Sequence, residues 1–84
     1  MDQIELSIII VNYNTSALLK ECLNSIYTTL SKINFEIFVV DNNSSDDSVK
    51  MVKDYFSQVK LIENKKNIGF PKANNQAIKL AQGE

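Results

Sequence analysis

The sequence predicts a three-layer α/β unit, built β-α-β-α-β-α with parallel strands in spatial order 3-2-1. Three observations predict it. Leu6–Val11 (LSIIIV) and Phe35–Val40 (FEIFVV) are strand-length runs without the alternation of a half-exposed strand, the habit of parallel sheets covered on both faces. Each run is followed by a segment with apolar residues at helical spacing. Each also ends in an amide-rich turn, Asn12-Tyr13-Asn14 after the first and Asp41-Asn42-Asn43-Ser44-Ser45 after the second. In open α/β sheets ligands bind beyond the carboxyl ends of the strands, so these turns are either plain helix-entry loops or the rim of a site.

The first strand, Leu6–Val11, reads as buried on both faces. Thr15 or Ser16 is placed to cap the helix that follows by accepting from an orphan backbone N–H. Leu18, Leu19, Cys22, Leu23, Ile26, Tyr27 and Leu30 then recur at helical spacing, which puts Cys22 on the apolar stripe as a small buried hydrophobe. Ser31-Lys32-Ile33-Asn34 returns the chain to the central strand. Ser45 or Asp46 opens a second helix, where Asp46 and Asp47 suit the positive end of the helix dipole. Its inward stripe is Val49, Val52, Tyr55 and Phe56.

Val59–Glu63 (VKLIE) is a short third strand, and the loop after it contains Gly69, expected to relieve a demanding backbone angle. Pro71 in the first turn starts a third helix with a narrow face of Ala73, Ala77, Leu80 and Ala81, stopped by Gly83. Right-handed crossovers give the 3-2-1 order and leave the outer edge of the first strand bare. A bare apolar edge invites pairing, including with a second copy of the chain, and a fourth strand is expected where the sequence stops. The expectation is an incomplete domain.

Composition narrows the chemistry. Net charge is -1 over 84 residues, which argues against nucleic-acid binding through bulk electrostatics. The absence of histidine excludes His-based triads and zinc sites, and the single cysteine excludes an internal disulfide framework. No apolar run reaches membrane-span length and Met1–Glu5 lacks a basic signal start, so a soluble cytoplasmic setting is expected. Neither GxGxxG nor GxxxxGK[ST] occurs, and the acidic pair of a receiver domain is missing after the first strand.

Asp41, at the end of the central strand, can accept from ribose hydroxyls or a base N–H, or can merely shape its loop as an Asx-turn. Asn12, Tyr13 and Asn14 fit two readings as well: an aromatic that stacks on a base between two loop-fixing amides, or turn chemistry alone. Lys65, Lys66 and Lys72 can meet phosphates or form a solvated face. No cluster in the sequence resembles a metal site.

Three blocks, SIIIVNYNTSALLKECLNSI, VVDNNSSDDS and NIGFPKANNQAIKLAQGE, resemble successive blocks of the family 2 glycosyltransferases, most of all a rhamnosyltransferase-like subgroup. The match spans essentially the whole chain and about the first third of the family's catalytic domain. The resemblance implies the GT-A fold, whose Rossmann-like half binds nucleotide, so that residues 1–84 are its N-terminal nucleotide-binding part. By position, Tyr13 falls on the aromatic that flanks the base and Asp41 on the acidic residue that contacts base or ribose. Asn43 and Ser44 fall on the adjoining loop, while Asn67, Gly69, Ala73 and Asn75 match the block bordering the diphosphate and sugar. Many members have proline where Val11 stands and arginine where Asn74 stands, and Lys72 is a partial substitute for the latter.

The implied activity is transfer of a sugar, rhamnosyl among the candidates, from a UDP- or dTDP-sugar to a saccharide or lipid-linked acceptor in polysaccharide synthesis, at or near the cytoplasmic membrane face. The family commonly uses Mg2+ or Mn2+, held by an Asp-x-Asp expected just beyond Glu84, with a catalytic base later still. The expected nucleotide-binding set is Asn12, Tyr13, Asn14, Asp41, Asn43, Ser44, Asn67, Gly69, Lys72 and Asn75, with no metal ligand and no catalytic residue, so the chain alone is expected to be inactive. The competing reading is a non-catalytic nucleotide-binding or assembly module that pairs through its open sheet edge.

Overall fold

The computed structural model of the chain describes residues 3–82. The elements follow in the order β1 (Leu6–Asn12), α1 (Ser16–Thr29), β2 (Phe35–Asp41), α2 (Ser48–Tyr55), β3 (Lys60–Glu63) and α3 (Phe70–Ile78). All strands are parallel and β2 is central, paired from Leu6↔Phe35 to Asn12↔Asp41 with β1 and from Phe38↔Lys60 to Asp41↔Glu63 with β3. This is the expected 3-2-1 order.

The pleat of β2 sorts its side chains to two cores. Ile37 and Val39 join Leu19, Leu23, Met51, Val52, Phe56 and Val59 under α1 and α2, while Phe38 and Val40 pack against Ala73 and Ala77 of α3 on the opposite face. The alanines carry no bulk to hold α3 off the sheet, so the helix sits close. Glu36, on β2 and 6% exposed, accepts from Ser7 Oγ (2.6 Å), Lys60 Nζ (2.7 Å) and the backbone N–H of Gln82 (2.6 Å), tying both neighbouring strands and the chain beyond α3 to one carboxylate.

Several expectations are corrected. β1 is half-buried except for Asn12, because among the described residues it pairs only with β2. Cys22 is exposed, and so is Leu18 at 66%: the stripe of α1 that meets the sheet is Leu19, Leu23, Ile26 and Tyr27, and Cys22 lies on its flank. Tyr55 is exposed beneath the Lys20 ammonium, because α2 ends there and the following turn carries Phe56 inward in its place. Met51 fills the position on the inward stripe.

The element ends differ as well. α2 begins at Ser48 with Asp47 as its N-cap, so neither Asp46 nor Asp47 stands in the first turn. β3 starts one residue later, at Lys60. α3 stops at Ile78, which leaves Leu80 58% exposed while Ala81 still packs inward. The expected stop at Gly83 lies outside the described residues.

Candidate functional site

The carboxyl ends of the strands carry a continuous row of polar side chains. At the last register pair of β1 and β2, Asn12 Nδ2 donates to Asp41 Oδ1 at 3.0 Å, and both residues are 2% exposed. Asp41 also accepts from Ser44, through the backbone N–H (2.8 Å to Oδ2) and the hydroxyl (2.6 Å to Oδ1). A buried carboxylate without donors carries a large desolvation cost, and three donors from its own loop and the neighbouring strand offset it here. Thr15, at the N-cap position of α1, turns its hydroxyl to Asn12 Oδ1 (2.6 Å) rather than accepting from a helix N–H as expected.

The first two loops also clasp each other. The Asn14 N–H donates to Ser44 Oγ at 2.9 Å, and Asn14 Oδ1 accepts the N–H groups of Ser45 (2.7 Å) and Asp46 (3.4 Å). Asp46 returns the contact by accepting the Ser16 N–H at 3.1 Å, so an acid before α2 satisfies an orphan donor of α1. The Ser48 hydroxyl, donating to the same carboxylate, is the main influence holding Asp46 below the usual carboxylate range; desolvation opposes it, and backbone N–H groups of Ser48 and Ser16 add to it. Asn14 and Asn43 both adopt left-handed backbone, φ 53° and 67°, which asparagine tolerates better than most residues. Tyr13, half exposed at 50%, and Asn43 stand at the rim this clasp creates.

On the β3 side Asn42 points inward and is 2% exposed. Its Oδ1 accepts from Asn64 Nδ2 at 3.0 Å, and its Nδ2 reaches the Gly69 carbonyl at 3.5 Å. Asn64 and Gln76 exchange two amide hydrogen bonds of 2.9 Å each. Asn67 Oδ1 accepts the Gly69 N–H at 2.9 Å and shapes the entry to α3, for which Gly69 (φ 84°) is the N-cap. Lys72 and Asn75 lie further along α3 and, with Ile68, Gln76, Lys79 and Leu80, line an open hollow of about 530 Å³.

The structure thus joins Asn12, Asn14, Asp41 and Ser44 directly, with Tyr13 and Asn43 above them. It joins Asn67 and Gly69 to the row through Asn42, and Lys72 and Asn75 neighbour it through Gln76. Sequence reasoning placed Asn42 in the turn after the second strand but left it out of the binding set, missed Asn64 and Gln76 as members, and read Asp46 only as a helix-start and helix-dipole residue. The available signal was position: Asn42 and Asn64 directly follow strands, and Gln76 directly precedes the inward Ala77.

Among the described residues no three His, Cys, Asp or Glu side chains converge to hold a metal ion, and Asp41 and Asp46 are engaged by loop donors. These residues do not fit a divalent-cation site.

The family model described as Glycosyl transferase family 2 matches residues 7–84. The chain is 40% identical to the poly(ribitol-phosphate) beta-glucosyltransferase of Bacillus spizizenii, over 95% of this chain and 13% of that protein. Among solved structures it resembles Staphylococcus aureus TarS 1-349 in complex with UDP, with a TM-score of 0.84 and 34% identity over 96% of this chain and 25% of that one. It also resembles the mannosyltransferase PcManGT from Pyrobaculum calidifontis in complex with GDP-Man and Mn2+, with a TM-score of 0.82 and 26% identity over all of this chain and 26% of that one. The chain therefore spans a small part of each relative's length, and its three-stranded α/β arrangement is that of the N-terminal part of their GT-A domains. With its own sheet, helices and 78 matched positions (7 to 84) in agreement, the chain belongs to glycosyltransferase family 2.

Proposed function

We propose that residues 1–84 are the nucleotide-binding N-terminal part of a glycosyltransferase domain whose donor is a UDP- or dTDP-linked sugar and whose acceptor is a saccharide or lipid-linked glycan in polysaccharide synthesis. The observation that carries the reading is the clasp of the first two loops, which holds Tyr13 and Asn43 exposed over a buried Asn12–Asp41 pair at the carboxyl ends of the strands. Loops fixed by hydrogen bonds to each other and carrying an exposed aromatic suit a nucleobase, and preorganisation lowers the cost of binding it. Two further facts support the diphosphate. Between Asn64 and Gln82 the sequence has four lysines and no acid, although the chain as a whole is at -1. TarS, 34% identical over 96% of this chain, is solved in complex with UDP.

In such a transfer the acceptor hydroxyl attacks the anomeric carbon as the nucleoside diphosphate leaves, and charge on the leaving group must be met. This chain's part is to grip the nucleoside with Tyr13, Asn43 and Ser44 and to meet phosphate with Lys72 and the polar groups at Asn67, Gly69 and Asn75. A divalent cation, Mn2+ in the PcManGT structure, would be held by residues outside those described. The reading places the protein in the cytoplasm, where it would reach a lipid-linked acceptor from the membrane face.

The test is an NMR titration of the purified chain with UDP, dTDP and GDP in Mg2+ buffer. Shifts clustered at Tyr13, Asn43 and Ser44 are expected, and their strength ranks the bases. Unchanged spectra with all of these nucleotides would refute the reading.

A second reading is favoured by one observation: β1, with Ile8, Ile9 and Ile10 half-buried, has a partner strand on one side only among the described residues. It is an assembly module pairing through that edge, and sedimentation equilibrium showing a nucleotide-independent dimer would support it.

A further inference from the structure

We infer that Asn64 and Gln76 are positioning residues, an amide pair that sets where the start of α3 stands relative to the loop after β2. Resting on the nucleotide-binding reading, this means that the pair fixes the spacing between the nucleoside and diphosphate halves of the site.

The hydrogen-bond inventory carries the inference. An asparagine side chain has two N–H donors and one carbonyl. In Asn64 the nitrogen donates to both Asn42 Oδ1 (3.0 Å) and Gln76 Oε1 (2.9 Å), and the carbonyl accepts Gln76 Nε2 (2.9 Å). A two-point exchange orients both amide planes, where a single bond would leave each free to rotate. The ends of the relay are themselves anchored. The Asn42 N–H donates to the Asn12 carbonyl at 2.9 Å and the Asn64 N–H to the Asp41 carbonyl at 2.9 Å, so the row prolongs both strand ladders past their last residues. Gln76 carries the connection onto α3. The parallel link from Asn42 Nδ2 to the Gly69 carbonyl is longer, at 3.5 Å, and the pair is therefore the stiffer connection.

The apolar contact of α3 with the sheet is made by Ala73 and Ala77 against Phe38 and Val40. Small side chains hold the helix close but do little to stop it sliding along its axis. Gln76 is only half-buried, so holding it in one rotamer costs side-chain entropy that a stabilising contact must offset. Its bonds resist the sliding motion that would carry Lys72 and Asn75 away from the base-side loop.

The experiment is NMR titration of the purified chain and of Gln76→Ala and Gln76→Met with UDP, dTDP and GDP and with the matching nucleosides. Alanine favours the helix and methionine keeps the length without hydrogen bonds. For the diphosphate that the parent chain binds, both variants are expected to lose roughly three- to thirtyfold in affinity, the range for substitutions acting through a connecting network. Affinity for the matching nucleoside is expected to stay within about twofold, and the free variants to keep the parent amide pattern outside α3 and its entry loop. A purely structural role would weaken nucleoside and diphosphate together. That result, or no loss for either ligand, overturns the inference and leaves the nucleotide-binding reading standing. A parent chain that binds none of these diphosphates overturns both.

Discussion

Asn12 and Asp41 are the last register pair of β1 and β2, and the amide of the first donates to the carboxylate of the second at 3.0 Å in a place where each residue is 2% exposed. The bond closes the sheet at the carboxyl ends of its strands. It also leaves Asp41 surrounded by donors, with Ser44 supplying two more, so the carboxylate organises the loop that carries Asn43 and Ser44.

Asp41→Asn therefore turns an acceptor toward a donor. Whichever way the new amide is oriented, its nitrogen meets an N–H or O–H that Asp41 now accepts. The expected cost is about 1–3 kcal/mol in urea unfolding, the penalty for leaving buried polar groups unmatched. A loss below about 0.5 kcal/mol would show that the loop does not depend on the carboxylate.

Glu36 predicts an acid-sensitive fold. Burial alone would raise its pKa, but hydrogen bonds from Lys60, Ser7 and the Gln82 N–H prevail and lower it to about 2. The folded value lies below the unfolded one of about 4.3, so the unfolded chain binds the proton first. The stabilisation is complete above that unfolded value and is lost as pH falls from about 4.3 toward 2. Glu36→Gln is expected to flatten this part of the stability curve and to cost about 1–3 kcal/mol at pH 7. An unaltered acid limb in the variant would assign the pH dependence to another group.

Gly69 adopts φ 84° and ψ 163°, a combination that L side chains rarely adopt. A Cβ there would meet only the Pro71 Cδ, at 4.0 Å, so space is not the obstacle. Gly69→Ala is expected to destabilise by about 1–3 kcal/mol through backbone strain, with amide shifts concentrated at the start of α3. Shifts spread evenly over β1 and α1 would contradict a local effect.

The chain alone is expected to turn over no sugar nucleotide, since its described residues bring no metal-binding cluster together and engage Asp41 and Asp46 in loop contacts. The check is release of nucleoside diphosphate from UDP- and dTDP-sugars with Mg2+ or Mn2+, against a heat-inactivated control. Release above that control would show a complete catalytic centre in these residues.

The fold was legible where physics is local. Two apolar runs without alternation marked β1 and β2, and the switch to polarity at Asn12 and Asp41 marked their ends, which is where the candidate site lies. Helix faces were less legible. Spacing gives a stripe its direction but not its width, and only packing against a narrow sheet decides that Leu19 and Leu23 are buried while Leu18 and Cys22 are not. The inward half of the site was illegible for a different reason. Asn42 and Asn43 are the same residue type side by side, and the left-handed turn at Asn43 sends one into the relay and the other to the rim. Only their order after the end of β2 distinguishes them in sequence.

The central place of β2 also sets an order of loosening. β2 has a neighbour on each side, seven register pairs with β1 and four with β3, so its amides exchange with solvent chiefly through global opening. The β3 side is secured by the shorter ladder and frays at lower free energy. Because the candidate site straddles all three strand tips, its Asn64–Gly69 portion stands on the shorter ladder and relies on the Asn64–Gln76 exchange for its place. On the proposed reading, nucleoside would meet the half of the site held by the longer ladder, and phosphate the half held by the shorter one and the amide pair.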